Sequence, residues 1–505
     1  MQVSPTRALF QPGERVQIRV AFETPQRVPI TATVYHLGDQ IAVWETTCDG
    51  TSAFLEGDVP AEARRGYLVQ VQAGDERGFT AFDVLENWTQ APRYGFLYDF
   101  ASQRTSENRA ATLDRLLRLH VNGLQFYDWQ YRHDTLIPPQ DDFIDPLGRP
   151  LSLSTIRELI DAAHARGMAA MPYTAIYAAS PPFAASHHDW QLFGVDGQPV
   201  DFADGFLKLM NLSSDWSVHF VWECVRVLEA LPFDGIHVDQ YGEPKTGFDS
   251  AGNPVDLPAG FDSTLTALRE VVPSERVVLF NLVHNWPVEN IAHTPLNFWY
   301  SELWPPETDL KRLWQTIRDN RRLNPRPAVL AVYIPPGWEA TVIAAHSTIL
   351  AAGGTHIAHG DDGRYLSDPY FPKAGIPSEG LAQKLLRLAD FAVAYEETLV
   401  FAEDVTDEWV GRISINGEHL QPGQLIVHRV GSELFINILA AQGKWDVKLP
   451  LQPAHPSASL EVEGAHFRRA WCASPESPLS CKLPELHLPE FHDWLLVGLE
   501  LEDTP

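Results

Sequence analysis

The sequence predicts an α/β fold in which an eightfold (β/α)8 TIM barrel is flanked by two β-domains. Three observations predict it: short alternating apolar and polar runs before residue 91, strand-like runs alternating with helix-like runs from 91 to 400, and a return of short alternating runs from 401. A chain of 505 residues is too long for one ordinary core. The predicted domains are therefore residues 1–90, 91–400 and 401–505.

The first and last regions share the alternation that is typical of half-buried strands. In the first, "RVQIRVAF", "ITATVYHL", "YLVQVQAG" and "GFTAFDVLE" are separated by turn signals such as "QPGE" and "AGDERG", which favours a β-sandwich. In the last, strands are predicted in "LIVHRV", "ELFINIL", "WDVKLPL" and "WLLVGLEL". This second β-domain is predicted to be a Greek-key sandwich.

The middle region repeats a strand followed by a helix eight times. The strands are predicted in "RYGFLYDF", "VNGLQFYDW", "MAAMPYTAIY", "FDGIHVDQYG", "RVVLFNLV", "FWYSELW", "RPAVLAVYIP" and "GGTHIAHGD". Helical runs such as "ENRAATLDRLLRLH" follow them, and the shortest, "VENIAHT", follows the fifth strand. A doubly wound sheet is the alternative, but the count of eight favours the barrel.

Composition and charge exclude several kinds of partner. With 45% hydrophobic and 21% charged residues the chain has the profile of a folded protein. A formal net charge of -28 argues against nucleic acid and anionic membranes, because both would be repelled. The sequence shows no membrane-spanning stretch and no apolar segment of signal-peptide length, so we expect a cytoplasmic protein, or a secreted one if a leader has been removed. It does not indicate an oligomeric state.

The cysteines do not form a metal-binding pattern. Of the four, none belongs to a C-x-x-C pair, so zinc is not expected. Cys472 and Cys481 flank a loop rich in Pro and Ser and could bridge, but free thiols are expected in a reducing compartment.

The stretch "FDGIHVDQYG" places a carboxylate at the end of a strand that is otherwise apolar. Alternation predicts that Ile236 and Val238 face the surrounding helices while His237 and Asp239 point into the barrel. In such barrels the reactive groups lie at the carboxyl ends of the strands. Because a buried carboxylate without a partner is unfavourable, Asp239 is predicted to be functional.

The stretch "FWYSELW" has the same feature two strands later, where Glu302 shares a face with Tyr300 and Trp304. Two carboxylates at matched strand ends suit retaining glycoside hydrolysis, in which one attacks the anomeric carbon and the other protonates the leaving oxygen. Salt bridging or helix capping is the alternative for either acid alone, but it explains the matched pair less well.

Other strand ends are also polar and are candidates for binding a neutral, hydroxyl-rich ligand such as a sugar. Hydrogen-bonding groups and stacking surfaces are both needed for such ligands, although pattern alone leaves open which groups are satisfied in the core instead. The candidates are Tyr98, Asp99, Tyr127, Asp128, Trp129, His133, Tyr173, His237, Asn281, Trp304, His356 and Asp361.

Four stretches resemble glycoside hydrolase family 66 in order and spacing: "NGLQFYDWQYRHD", "FDGIHVDQYG", "FWYSELW" and "GGTHIAHGDDGRYLSDPYFP". This family contains endo-dextranases and cycloisomaltooligosaccharide glucanotransferases. The resemblance implies an immunoglobulin-like domain before the barrel and a Greek-key domain after it. It further implies Asp239 as nucleophile, Glu302 as acid/base, α-1,6-glucan substrates, retention of configuration and no cofactor. Asp128, Trp129 and His133 match the strand-two motif, which borders the cleft.

Two departures from the family pattern bear on the reaction. Ala358 and His359 stand where the last-strand motif more often has Glu and Leu, which is expected to change sugar contacts. The barrel region has no room for the carbohydrate-binding module that the transferases carry, which favours hydrolysis of dextran or isomaltooligosaccharides. The alternatives are a glucanotransferase making cyclic or elongated products and a non-catalytic sugar-binding barrel. The presence of both carboxylates disfavours the last.

Overall fold

A computed structural model of the chain describes residues 1–60, 62–451 and 453–502, and its centre is a barrel of eight parallel strands. Each strand pairs with the next along the chain, from the first to the eighth. Phe96 in strand one donates its backbone N–H to the carbonyl of His359, just beyond strand eight, at 3.0 Å, and this bond nearly closes the ring. The predicted barrel is confirmed. Its strands are Tyr94–Leu97, Gly123–Phe126, Ala169–Ala175, Gly235–Asp239, Val277–Val283, Trp299–Glu302, Ala328–Ala331 and Gly354–His356.

Among the described residues, seven long helices surround the barrel. Five of them begin where a side chain accepts a hydrogen bond from the first turn, at Thr105, Ser152, Asp256, Asp309 and Ser378. The long helices are Ser106–Arg118, Leu153–His164, Trp216–Ala230, Leu257–Val271, Leu310–Leu323, Glu339–Ala351 and Glu379–Ala394. Shorter helices are Pro181–Ser186, Glu396–Leu399 and Thr406–Trp409.

The predicted helix in "VENIAHT" is wrong. After strand five the chain forms a series of turns, closed by bonds such as the one from the N–H of Asn290 to the carbonyl of Pro287 at 3.1 Å. The segment is only about two turns long and lies between Pro287 and Pro295. Pro295 disfavours the helical conformation in the residue before it and has no N–H to continue a helix, so the segment cannot be extended.

The barrel strands alternate between an inner and an outer face, as expected for strand four. Ile236 and Val238 pack in the cluster that contains the helix residues Phe220 and Leu265. His237 instead faces the barrel interior, where its ring lies against Tyr94, Tyr173 and Tyr300. This alternation places successive inward side chains at increasing height, and it brings the last of them to the barrel mouth.

Small strands and hairpins lie in the loops at this mouth. They are Asp142–Ile144, Pro150–Ser152, Ala178–Ala179, Asp201–Phe202, Leu207–Leu209, Gly247–Phe248 and Pro254–Val255.

The amino-terminal region forms a five-stranded antiparallel sheet around its own buried cluster. Two of the predicted strands, "RVQIRVAF" and "ITATVYHL", prove to be one continuous strand, Val16–His36, whose pairing shifts between Ala21 and Gln26. The two halves on either side of this shift bury alternate residues in the same cluster. The strands are Gln2–Pro5, Val16–His36, Asp39–Gly57, Arg65–Ala73 and Glu76–Val84.

The carboxy-terminal region contains a six-stranded and a four-stranded sheet around another buried cluster. Glu433–Leu439 pairs with both Leu425–Val430 and the last strand, Trp494–Leu501, so the final strand returns to the middle of the sheet. The strands are Glu403–Asp404, Ile413–Ile415, Glu418–His419, Leu425–Val430, Glu433–Leu439, Ala458–Val462, Phe467–Ala473, Cys481–Lys482, His487–Leu488 and Trp494–Leu501.

The predicted strand "WDVKLPL" is wrong, because its backbone bonds to the barrel instead of to a neighbouring strand. The N–H of Trp445 donates to the carbonyl of Thr308 at 2.8 Å. The hydroxyl of Thr341 donates to the carbonyl of Val447 at 2.9 Å and accepts from the N–H of Leu449 at 2.8 Å. Buried backbone groups need partners, and here barrel residues provide them.

Cys472 and Cys481 lie opposite each other on paired strands, with their sulfur atoms 3.3 Å apart, and both are free thiols. None of the helices in the described ranges combines the length and the apolar character that crossing a membrane requires.

Candidate active site

The two predicted carboxylates meet at one side chain, Asn281. Its amide nitrogen Nδ2 donates to Oδ1 of Asp239 at 2.7 Å and to Oε2 of Glu302 at 2.6 Å. The three residues come from the adjacent strands four, five and six, whose parallel pairing brings their carboxyl ends to the same mouth of the barrel. Two oxygens that share one donor nitrogen can be no more than about 5 Å apart, close to the separation of roughly 5–5.5 Å in retaining glycosidases.

Glu302 also accepts hydrogen bonds from two aromatic side chains. The indole Nε1 of Trp304 donates to Oε1 at 2.8 Å, and the hydroxyl of Tyr333 donates to the same oxygen at 2.7 Å. Sequence reasoning missed Tyr333, although it lies just beyond strand seven in the predicted stretch "RPAVLAVYIP". With Asn281, these donors hold Glu302 in one orientation.

Burial raises the pKa of Asp239 to about 7, and the nearby charge of Glu302 adds to this rise. Hydrogen bonds from Tyr173, from Asn281 and from the backbone of Gln240 act in the opposite direction. Because two like charges this close repel each other, the proximity of Glu302 opposes ionisation of Asp239.

His237 lies deeper in the barrel than the carboxylate pair. Its Nδ1 lies 3.1 Å from the hydroxyl of Tyr94, and its ring is enclosed by the aromatic side chains of the barrel interior. Burial lowers the pKa of His237 to about 3, so the ring is neutral. His237 does not line the cavity above Asp239, and the prediction that it contacts substrate is corrected to a packing position.

A cavity of about 590 Å³ opens above the carboxylate pair. Six of the predicted binding residues line it, together with both carboxylates. The six are Tyr127, Asp128, His133, Tyr173, Asn281 and Trp304. Tyr127 stacks on Phe371 at 4.2 Å between ring centroids and donates its hydroxyl to the carbonyl of Pro369 at 3.2 Å. The loop after strand eight therefore forms one side of the cavity.

Four residues of the cavity lining have buried polar atoms that no described residue pairs with. They are Oε1 of Gln125, Oε1 of Gln130, Nδ1 of His133 and Oδ1 of Asn281. Burial lowers the pKa of His133 to about 4, so its ring is neutral and its Nδ1 can donate or accept. Unpaired buried polar groups are unfavourable, and solvent does not reach these four atoms.

Asp128 is a third carboxyl group at this cavity. Burial raises the pKa of Asp128 to about 7, although the positive charge of Arg149 acts to lower it. The guanidinium of Arg149 lies 3.9 Å from Oδ2 of Asp128 and donates to the Asp128 carbonyl at 2.8 Å. The backbone φ of Asp128, 50°, is in the left-handed region, which non-glycine residues seldom adopt. Such strain is typical of functional sites. Arg149 was missed because it lies in a loop well beyond strand two.

Two predicted binding residues are core groups. Trp129 is fully buried and donates its indole N–H to the carbonyl of Tyr173 at 3.1 Å. His356 is held between His346, at 3.1 Å, and the carbonyl of Val332, at 3.0 Å. Neither lines the cavity, because each points away from the barrel axis toward the helices.

Tyr98, Asp99 and Asp361 form a structural junction instead of lining the cavity. The buried Asp361 pairs with Arg104 and accepts the backbone N–H groups of Tyr98 at 2.9 Å and Asp99 at 3.1 Å. The carboxylate thus holds the end of strand one to the loop after strand eight. Sugar contacts by these three residues stay a prediction, since the structure places none of them in the cavity lining.

The departures from the family pattern also lie outside the cavity. Ala358 is packed in the hydrophobic core, and the carbonyl of His359 accepts the bond that nearly closes the barrel. The expected change in sugar contacts at these two positions stays a prediction, and neither residue is among those that line the cavity.

Within the described ranges, no three His, Cys, Asp or Glu side chains cluster as metal ligands. Carboxyl groups such as those of Asp239 and Glu302 can serve as acid, base and nucleophile.

A parallel barrel with a carboxylate pair at the ends of strands four and six is an architecture typical of glycoside hydrolases. The sequence profile described as "Glycosyl hydrolase family 66" matches residues 5–432. The chain belongs to glycosyl hydrolase family 66.

The chain is similar to curated members of known activity. It is 29% identical over 363 residues to a cycloisomaltooligosaccharide glucanotransferase of Niallia circulans, covering 65% of this chain and 37% of that protein. It is 21% identical over 421 residues to a dextranase of Streptococcus salivarius, covering 68% of this chain and 51% of that protein. The chain thus spans about a third to a half of the lengths of these two relatives.

The fold is shared with a solved structure of a Paenibacillus sp. cycloisomaltooligosaccharide glucanotransferase complexed with cycloisomaltoheptaose. The TM-score is 0.89 at 20% sequence identity, and the match covers 99% of each chain. At this identity the similarity establishes the fold.

Proposed function

We propose that this chain is a retaining glycoside hydrolase that cleaves α-1,6-glucosidic linkages in dextran or isomaltooligosaccharides. Family membership and the names of its relatives support the reaction class and the glucan substrate. The observation that carries the proposal is the single amide nitrogen of Asn281 bonded to both Asp239 and Glu302. One oxygen of each carboxyl group lies within hydrogen-bond distance of the same nitrogen, and this closeness supports direct attack on the anomeric carbon over attack by an intervening water.

In this mechanism Asp239 attacks the anomeric carbon while Glu302 donates a proton to the leaving glycosidic oxygen. A covalent glucosyl-enzyme forms, with its new bond to a carboxylate oxygen of Asp239. Glu302, now a carboxylate, then removes a proton from water, which displaces Asp239 and restores the starting configuration. Tyr333 and Trp304 orient Glu302 in both steps.

Transfer to a glucan hydroxyl is the second candidate. The observation that favours it is the similarity to the Niallia circulans and Paenibacillus glucanotransferases. The chemistry of the first step is the same, and the acceptor that enters in place of water decides the product.

We further propose that the amino- and carboxy-terminal β-regions are the immunoglobulin-like and Greek-key domains implied by the sequence pattern.

Product analysis tests the function and its linkage specificity. Dextran and isomaltooligosaccharides should be cleaved to shorter linear products whose first-formed anomer is α, and starch should be left intact. The measurements are chromatography of the products and proton NMR of early time points. Cyclic or elongated products would favour the transferase. A β-anomer formed first, or comparable turnover of starch, would contradict the proposal.

The pH dependence should report the coupling of the two carboxyl groups. Asp239 attacks only when ionised, so the rate is lost as pH falls through its pKa. Glu302→Gln removes a neighbouring negative charge and should lower the pKa of Asp239 below about 7, while burial keeps it above the ordinary 3.8. We expect the acidic limb of kcat/KM on an activated aryl α-glycoside to lie at lower pH than in the wild type. An unchanged limb would show that Glu302 does not influence Asp239.

A further inference from the structure

Phe202 presents an exposed aromatic face at the mouth of the active-site cavity. The side chain is 37% exposed, although large apolar side chains usually turn inward. Its ring stacks on Tyr241 at 4.0 Å between centroids and 13° between planes, and both rings line the cavity that contains Asp239 and Glu302. The contacts of Asp239 and Glu302 do not explain this exposure.

Phe202 lies on a tightly constrained hairpin. Asp201–Phe202 pairs with the strand Leu207–Leu209, and an ion pair joins Asp201 to Lys208 across it. In the turn, Ala203 and Asp204 have φ of 51° and 54°, in the left-handed region that non-glycine residues seldom adopt. A strained turn next to a cavity is typical of segments that position a functional side chain.

Tyr241 gives Phe202 a rigid support. Its backbone N–H donates to the hydroxyl of Tyr177 at 2.9 Å, and the two rings meet edge to face at 5.6 Å. Tyr177 in turn contacts Phe261, in the helix Leu257–Val271, at 5.6 Å. The stack is therefore anchored in the barrel core, two residues beyond Asp239, before any ligand arrives.

We propose that Phe202, supported by Tyr241, is a stacking subsite for a glucosyl unit other than the one that Asp239 attacks, and that it sets the dependence of the rate on glucan length. This inference rests on the proposed function. A pyranose ring has flat apolar faces that suit an exposed aromatic ring. An α-1,6-linked chain is flexible because each link adds a rotatable carbon, so a preformed platform reduces the ordering cost of binding.

The test compares chain lengths in Phe202→Ala and Phe202→Tyr. The substrates are an activated aryl α-glucoside, isomaltooligosaccharides of rising length and dextran. For each variant we compare kcat/KM for dextran with kcat/KM for the aryl glucoside. This ratio should fall about three- to tenfold in Phe202→Ala. The change should appear mainly in KM. Phe202→Tyr keeps the ring and should restore the ratio.

Trp222→Ala is the matched control, because Trp222 is 54% exposed but lies on the helix Trp216–Ala230 outside the cavity. It should leave the ratio unchanged. An unchanged ratio in Phe202→Ala, or an equal loss on every substrate, would overturn the inference.

Binding separates the inference from the proposed function. Calorimetric titration of isomaltooligosaccharides into Asp239→Ala, with and without Phe202→Ala, measures the subsite without turnover. If the wild type fails to cleave α-1,6-glucans but long oligosaccharides still bind more weakly without Phe202, the proposed reaction fails and the subsite stands. If cleavage occurs and binding is independent of Phe202, only the subsite fails.

Discussion

Asp239→Ala should abolish turnover of every glucan, because it removes the group that forms the covalent intermediate. Glu302→Ala should lower the rate on dextran by about 10²–10⁴-fold, the usual contribution of a general acid. On an activated aryl α-glucoside its first step should survive comparatively well, since that leaving group needs no proton. The glucosyl-enzyme should then accumulate for want of a base, which rapid-quench kinetics would detect as a burst.

Azide should distinguish the two variants by stereochemistry. In Glu302→Ala it attacks the covalent intermediate without help from a base, and two inversions give the α-glucosyl azide. In Asp239→Ala it displaces the leaving group directly, and one inversion gives the β-azide. NMR of the isolated products identifies the anomer. The same anomer from both variants would show that at least one role is wrongly assigned.

Asp361→Ala should lower the free energy of unfolding by about 3–5 kcal/mol, because it leaves the buried guanidinium of Arg104 without its charge partner. It also removes the acceptor for two backbone N–H groups. Denaturant unfolding of the two proteins measures the difference. Asp361→Asn keeps the volume and one acceptor, so its effect should be smaller in the same direction.

The adjacent Asp362 provides the control for this prediction. It is exposed, accepts two long bonds of 3.3 Å, and has a φ of 51° that Asp adopts more readily than Ala, so Asp362→Ala should lower stability by no more than about 1 kcal/mol. A raised KM for glucans with unchanged stability in Asp361→Ala would show that Asp361 contacts substrate after all.

The sequence by itself determined the barrel and the two carboxylates. Alternation along a strand is a local property of the extended backbone, so "FDGIHVDQYG" was enough to place Asp239 inward and at the strand end. The same reasoning placed Glu302, because parallel strands in a barrel all end at one face. Alternation also predicted a strand in "WDVKLPL", and this prediction was wrong. The backbone groups of this segment form hydrogen bonds with barrel residues instead of with a neighbouring strand.

Only the tertiary structure decided which polar strand ends line the cavity. Asp361 and Asp128 both follow barrel strands, yet one pairs with Arg104, 257 residues away, and the other lines the cavity beside Arg149. The role of Asn281 as a shared donor, and the exposure of Phe202 over Tyr241, likewise depend on neighbours from other strands and loops. A sequence pattern specifies the face on which a side chain lies. Long-range packing decides which residue the side chain contacts there, and such packing produces no periodic pattern in the sequence.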